Sequence, residues 1–316
     1  MIEPKRVVVF GATGFVGTEV ICALRGRGVA VLALTTPRLP PVRAERAEDL
    51  LHDFSDDIAN LAGRLYHTDC VINSAGIAEA ESTDEELLIA ANGLVPGYLA
   101  MAAFMAGVPR FVQVSSAAVQ GRKEVLDSSF NVAPFSPYSR SKTLGALLAR
   151  KAHPGTVEYR PPGVHGADRR VSQMTARIAR SRLSSVARPS SSPSPQALLK
   201  NVGDAIAFLS TSRVPPPAIV AHPSEGLTTA SVLTLLGGRR PLEIPRTLAR
   251  SVVAIGMTVG RIVPSVRVNT RRVEMLWFGQ SQAASWLTES GWKPPAGHDE
   301  WKELGHLLSE RSCGKK

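Results

Sequence analysis

An α/β chain built on a doubly wound parallel sheet, with a smaller and mainly C-terminal lobe, is the fold class this sequence predicts. Three observations predict it. An unbroken β-branched and aromatic run, Val7-Val8-Val9-Phe10, opens the chain and ends in glycines. Further short apolar runs then alternate with helical patterns as far as about residue 160. Beyond that point the composition shifts to Pro, Ser and Arg, and the alternation stops.

Continuous apolar runs of strand length read as strands buried on both faces, as in parallel sheets. Val7–Phe10 is the first, followed by a helical pattern from Phe15 to Leu24. Val29–Leu34 is the second strand, and Cys70-Val71-Ile72 the next. A long helical stretch runs from about Glu85 to Ala106, then a strand from Arg110 to Val114. Alternation of this kind requires crossover helices on both faces of the sheet. Pro161-Pro162-Gly163 breaks the pattern, and the Ser/Pro/Arg-rich segment 181–195 reads as a loop. A helix from about Asn201 to Leu209 and a strand at Ala218–Ala221 return to the sheet. The expected division is therefore a sheet domain over 1–162, rejoined by 201–222, and a substrate-binding lobe from 163–200 and 223–316.

The 316 residues suffice for a core without disulfide staples, and the charged fraction of 20% is ordinary for a globular protein. The three cysteines, Cys22, Cys70 and Cys313, are far apart and form no CxxC pair, which fits reduced thiols in a cytoplasmic protein. The net charge of +10 suits an anionic partner. Aromatics are only 5% and no recognition motif is present, so nucleic acid is not the expected partner. No stretch reaches the ~18 apolar residues of a transmembrane span. The nearest, Val252–Gly260 between Arg250 and Arg261, reads as a partly buried helix, with interfacial membrane association through 248–263 left open. The seven histidines show no metal-ligand spacing, so no metal is expected.

The loop Gly11-Ala12-Thr13-Gly14-Phe15-Val16-Gly17 lies between a strand and a helix. Glycines there let the backbone approach a pyrophosphate, and the helix N-terminus offers N–H groups and a positive dipole end. A carboxylate about 20 residues on would bind a ribose 2′-hydroxyl. The chain instead reads Leu34-Thr35-Thr36-Pro37-Arg38, so the cofactor expected is NAD(P), leaning to NADP with Arg38 on the 2′-phosphate. A plain solvated role for Arg38 stays open.

Ser136-Pro137 is a natural helix start, which puts Tyr138 and Lys142 one turn apart on one face. An ammonium near a phenol favours the phenolate, and such a tyrosine exchanges a carbinol proton while a nicotinamide exchanges the hydride. Ser116 follows a strand, at the edge where these sheets bind ligands.

The segments GATGFVG (11–17), DCVINSAG (69–76), SSAAVQG (115–121), PYSRSK (137–142) and RPPGVHGADR (160–169) together resemble the NAD-dependent epimerase/dehydratase family of extended short-chain dehydrogenases/reductases. The resemblance implies a Rossmann-like fold, a tightly held nicotinamide dinucleotide and a homodimer. It implies a pyrophosphate loop at Gly11, Gly14 and Gly17, with Thr13, Phe15 and Val16 beside it. It implies adenine contact by Asp53, a segment under the cofactor at Ser74, Ala75 and Gly76, support from Asn92, and a strip beside the nicotinamide from Pro161 to Val164. Ser116, Tyr138 and Lys142 match the catalytic trio. Asn201–Ile206 and Trp286-Leu287 with Gly291-Trp292-Lys293-Pro294 resemble the later parts of nucleotide-sugar enzymes of surface-polysaccharide synthesis. Two departures stand out: Gln120 replaces a tyrosine common in relatives, and Pro-Pro-Gly follows Arg160 where sugar 4-epimerases have an asparagine.

The function expected is therefore an NAD(P)-dependent epimerase or oxidoreductase acting on a nucleotide sugar, a small-molecule partner. Dehydration is disfavoured, because Ala117 and Ala118 stand where an additional acid is needed. Ser116, His165 and Arg169 are the substrate-side candidates; His165 suits a structural role equally, and Arg169 follows GVHGAD directly. The alternatives are an NADPH-dependent reductase of a lipophilic ketone or alcohol, steroid- or flavonoid-reductase-like, and a non-catalytic NADP-binding protein.

Overall fold

A computed structural model describes residues 6–78 and 84–313. The chain begins with β1 (Arg6–Phe10), α1 (Phe15–Gly26), β2 (Ala30–Leu34), α2 (Ala47–Asp53), α3 (Ser55–Leu65) and β3 (Cys70–Asn73). It continues with α4 (Glu85–Ile89), a single wide π turn at Ala90–Leu94, α5 (Val95–Met105) and β4 (Phe111–Val114). Next come β5 (Val125–Leu126), α6 (Pro137–Ala152), β6 (Thr156–Arg160), β7 (Gly163–His165) and α7 (Arg170–Arg180). Then β8 (Ser185–Ala187), β9 (Gln196–Leu198), α8 (Leu199–Thr211), β10 (Ile219–Ala221), α9 (Thr229–Gly237) and β11 (Leu242–Ile244) follow. The chain ends with α10 (Arg246–Val259), α11 (Pro264–Phe278), β12 (Ser281–Gln282), α12 (Trp286–Glu289) and α13 (His298–Cys313).

Six of these strands form a parallel sheet in the order β10-β6-β4-β3-β1-β2. The period of two along a strand sends successive side chains to opposite faces. Val8 and Phe10 accordingly join the core under α2, α3, α5 and α6. Val7 and Val9 join the core under α1 and α8. Glu85–Met105 is long and apolar enough to cross a membrane, yet it is largely buried against the sheet and α6.

The classic doubly wound order places a further strand outside the second one. Here residues 35–43 form no regular element, a single 3-10 turn follows at Ala44–Arg46, and β2 is left as the sheet edge. Ala30, Leu32 and Ala33 are correspondingly exposed, while Val31 is half-buried and Leu34 buried. The expected strands of the sheet are all present, within a residue or so of where their apolar runs lie.

Two differences from the sequence reading have physical causes. The segment 181–195 is not all loop: Ser185–Ala187 pairs in parallel with β11, and Gln196–Leu198 just beyond it pairs with β7. Three-residue strands are too short to show a period. The α10 helix is partly buried as its sequence suggests, through Ala249 and Val253. Finally, Leu287 and Trp292 pack into the sheet core with α1 and α8 rather than into the lobe. The Trp292 indole N–H fixes this by donating to Asp204 at 2.8 Å. The lobe's own core gathers Leu198, Leu227, Val232, Trp301 and Leu304 from β9, α9, α13 and their connections.

Candidate active site

The strand order reverses between β1 and β3, and ligands of such sheets bind in the crevice at that point. The glycine loop and the Ser74–Gly76 segment face each other across it. Gly11 has φ of 76°, and a Cβ there would stand 2.5 Å from the Ala75 nitrogen. A Cβ at Gly17 would collide with the Gly11 carbonyl oxygen. Gly14, by contrast, meets only the Gly11 carbonyl at 3.1 Å. The first and third glycines thus serve close packing, and the second leaves backbone accessible to a ligand. Gly14 caps α1 with no side-chain bond and no acidic residue follows in the first turn, which leaves the positive helix end to an anion. This cradle fits the pyrophosphate of a dinucleotide.

Across the crevice, Ser74 Oγ donates to the Phe10 carbonyl at 2.7 Å, tying β3 to β1 beneath the loop. Ala75 N–H is held by Asn73 Oδ1 at 3.1 Å, and Asn73 in turn donates to Gln113 at 2.9 Å. Asn92 comes from the π turn. Its Nδ2 donates to the Ser141 hydroxyl at 3.2 Å, linking the support helix to α6.

Helix α6 starts as its sequence predicts. Ser136 accepts from Ser139 N–H at 3.2 Å, the Ser139 hydroxyl accepts from Ser136 N–H at 2.9 Å, and Pro137 occupies the first turn. Tyr138 and Lys142 follow one turn apart. Lys142 is buried, and its Nζ donates to the Val114 carbonyl at 3.3 Å. Burial pulls the Lys142 ammonium down to about 8. Burial also raises the Tyr138 phenol above its usual value, opposed by a hydrogen bond with Ser116 and by the charge of Arg169. Lys142 thus bonds to a backbone carbonyl, and the charge of Arg169 also favours the Tyr138 phenolate. Sequence reasoning placed Arg169 on the substrate side and missed this influence, because no spacing rule links residues 138 and 169.

Ser116 caps the 3-10 turn Ala117–Gln120, accepting from Ala118 N–H at 3.1 Å. Ala117 N–H donates to the Pro161 carbonyl at 2.8 Å, so the loops after β4 and β6 are joined beside the trio. Gln120, the departure from the family pattern, is buried and exchanges two bonds with Asp127: Nε2 donates at 2.7 Å, and Asp127 N–H donates to Oε1 at 3.0 Å.

A cleft of about 580 Å³ opens over the glycine loop, walled by Thr13, Phe15, Ala78, Arg169 and, from α11, Arg272. The Arg169 guanidinium lies 5.1 Å from the Phe15 ring centre and reaches the Ala78 carbonyl at 3.5 Å. Ser116, Tyr138 and Lys142 are outside this wall, and Arg169 within it acts on Tyr138 through its charge. Val16 packs into the sheet core under α1, and Val164 into the same core from β7. Arg38 and Asp53 are both exposed, Arg38 four residues beyond β2 and Asp53 at the end of α2 rather than at a strand end. His165 is buried away from the cleft wall. Its ring lies 5.2 Å from Trp301, Nε2 bonds Gln196 Oε1 at 2.9 Å, and burial lowers it to about 4. Among the described residues, no group of three or more His, Cys, Asp or Glu could hold a metal.

Comparison with known proteins gives the same picture. MoeE5, solved with UDP-glucuronic acid and NAD, superposes with a TM-score of 0.63 at 20% identity, over 97% of this chain and 99% of that one. UDP-glucuronic acid 4-epimerase from Bacillus cereus, solved with NAD, gives 0.63 at 17% identity, over 96% of each chain. dTDP-4-dehydrorhamnose reductase from Bacillus anthracis, solved with NADP, gives 0.60 at 15% identity, over 97% of this chain and 99% of that one. A sequence search of curated proteins finds no match. The family model for the NAD dependent epimerase/dehydratase family matches residues 7–190, more than half of the chain and every motif from the glycine loop to Arg169. With the dinucleotide cradle in place at the sheet's switch point, the chain belongs to the NAD dependent epimerase/dehydratase family, a family of NAD(P)-dependent enzymes.

Proposed function

We propose that this chain is an NAD(P)-dependent epimerase or reductase of a nucleotide-linked sugar, acting in the cytoplasm, with Tyr138 as its proton donor and acceptor. The observation that carries the reading is the placement of Tyr138, at the start of α6, beside Ser116 at the carboxyl end of β4 and within the field of Arg169. The glycine loop, with Thr13, Phe15 and Val16, would hold the pyrophosphate. Ser74–Gly76, Asn92 and Lys142 would hold the ribose and nicotinamide side, with Pro161 and Val164 flanking it. Arg38 would meet a 2′-phosphate, and Asp53 the adenine. When bound, the dinucleotide supplies the hydride acceptor or donor.

The chain's own residues do the rest. Ser116 Oγ orients the reacting oxygen of the sugar. Tyr138, whose raised value keeps it a neutral phenol at neutral pH, meets a keto-sugar as a proton donor. Arg169 stabilises the phenolate left behind. The neighbouring structures, among them a UDP-glucuronic acid 4-epimerase and a dTDP-4-dehydrorhamnose reductase, support the substrate class.

The test is incubation with a panel of UDP-, GDP- and dTDP-sugars while following absorbance at ~340 nm, where reduced nicotinamide absorbs, together with product stereochemistry. A new epimer without net absorbance change identifies an epimerase, since the hydride leaves and returns. Net NADPH consumption on a keto-sugar identifies a reductase. Turnover only of lipophilic ketones would overturn the sugar reading.

A further inference from the structure

The α10–α11 hairpin carries an apolar face that is exposed and unpacked among the described residues. Leu248, Val252, Ile255 and Val259 recur at i, i+4, i+7 and i+11, so they form one stripe along α10. All four are exposed, Ile255 at 65%. The stripe runs on into the turn, where Ile262 is 85% exposed and Val263 is exposed beside it. The other side of the helix is already used. Ala249 and Val253 are buried, and a Cβ on Gly256 would collide with Thr270 of α11.

The charge around this stripe has one sign. Residues 244–273 contain six arginines and no Asp or Glu; Arg271 and Arg272 serve the cleft side, while Arg246, Arg250 and Arg261 belong to α10 and its tip. Arg261 is exposed at the tip, between the end of the stripe and Ile262, and Arg250 is exposed on α10 itself. A protein partner complementary to the stripe alone would need no such run of cations. An anionic lipid surface needs both features at once: apolar side chains that enter the acyl boundary, and arginines that meet the headgroup phosphates.

We infer that the α10 stripe and the Val259–Val263 tip dock this protein peripherally on an anionic lipid surface. The other helix of the hairpin faces the active site. Arg272 of α11 walls the cleft, Arg271 donates to the Gly121 carbonyl at 2.9 Å, and Arg122 pairs with Glu274 at 3.0 Å. Docking therefore holds the cleft one helix away from the lipid.

The experiment is co-sedimentation of the full chain with vesicles of phosphatidylcholine alone and of phosphatidylcholine mixed with phosphatidylglycerol, at low and high salt. The expected result is binding to the mixed vesicles only, weakened by salt. Ile255→Asp and Ile262→Asp should each reduce the bound fraction by about tenfold or more, since each removes one buried apolar side chain and adds a charge. Leu183→Asp, at a residue 84% exposed outside the hairpin, should bind as the parent does. Circular dichroism and dinucleotide binding of the variants report folding independently of the sugar reading. The proposal is overturned by any of four results: no vesicle binding, equal binding to neutral vesicles, isoleucine variants that bind undiminished, or a dimer in solution that Ile262→Asp dissociates. The last result would assign the stripe to a second copy of the chain.

Discussion

Asn92 holds Ile77 by both of its backbone groups: Oδ1 accepts the Ile77 N–H at 3.0 Å, and Nδ2 donates to the Ile77 carbonyl at 3.0 Å. The clamp fixes the chain just past Gly76, whose φ of 146° suits glycine and whose missing side chain leaves room for two neighbours. A Cβ at Gly76 would collide with Asn92 Oδ1 and lie 3.0 Å from Lys142 Nζ. The widened turn at Ala90–Leu94 is where Asn92 sits, in keeping with the tendency of π turns to mark functional positions.

Asn92→Ala leaves the half-buried Ile77 N–H and carbonyl without this partner; full burial of an unsatisfied group would cost about 1–3 kcal/mol, and half-burial less. Dinucleotide affinity should fall by roughly tenfold or more, read by nicotinamide fluorescence titration. Gly76→Ala should act in the same direction. Unchanged affinity in both variants would separate this clamp from cofactor binding.

Tyr138→Phe keeps the ring and removes the proton. Turnover of the sugar found in the panel should drop by about 10²–10⁴-fold, the usual contribution of positioned acid–base groups. Dinucleotide affinity should stay within about twofold, because the cradle lies at Gly11–Gly17. Retained turnover would remove Tyr138 from the chemistry.

Much of this site is legible in the residues themselves. The glycine loop, the Ser136-Pro137 helix start and the one-turn spacing of Tyr138 and Lys142 depend on local geometry, and each stands where its spacing puts it. The parts that were not legible depend on partners distant in sequence. Arg169 acts on Tyr138 from 31 positions away, Gln120 finds Asp127 only once the loop folds, and β8 exists only because Leu242–Ile244 pairs with it. The missing strand outside β2 belongs to the same class. Nothing in Thr35–Arg43 announces whether an edge will be extended or left bare.

Lys142 offers a stability test with a definite sign. Its ammonium is lowered from 10.5 to about 8 by burial, so between those values the unfolded chain binds more protons than the native one. Below about pH 8 the folded protein bears the full cost of the buried charge, about 3 kcal/mol. Lys142→Met should therefore be more stable than the parent at neutral pH. The advantage should shrink as pH rises through 8 and vanish above 10.5. Urea unfolding across this range checks it, and a variant that is less stable at neutral pH would contradict it.

His165 predicts the acid limb. It is neutral in the fold, lowered from 6.5 to about 4 by burial beside Trp301. As pH falls through 6.5 the unfolded chain takes up a proton that the native one refuses, and stability is lost until about pH 4. The loss attributable to this group is about 3 kcal/mol. His165→Gln should flatten the stability profile between those values, as measured by denaturant unfolding at several pH values. An unchanged slope would assign the acid sensitivity to other groups.

Glu158 and Arg160 make the strictest demand on the fold. Both are buried; Arg160 Nε donates to Glu158 Oε1 at 2.7 Å and its Nη2 to Oε2 at 3.2 Å, and Arg150 donates to the same carboxylate. Removing one partner leaves a buried charge uncompensated, which costs about 3–5 kcal/mol, whereas replacing both with apolar groups of similar volume is often nearly neutral. Glu158→Gln should thus destabilise strongly, and Glu158→Leu combined with Arg160→Met should recover part of the loss, with Arg150, its side chain 22% exposed, turning to water. The effect should also reach the site. Arg160 ends β6 and precedes Pro161, whose carbonyl holds Ala117 next to Ser116. A loosened β6 end therefore lowers turnover beyond what the unfolded fraction explains, while the double variant, with the strand repacked, regains it. Equal stability of Glu158→Gln and the parent in urea unfolding would show that the pair carries no such load.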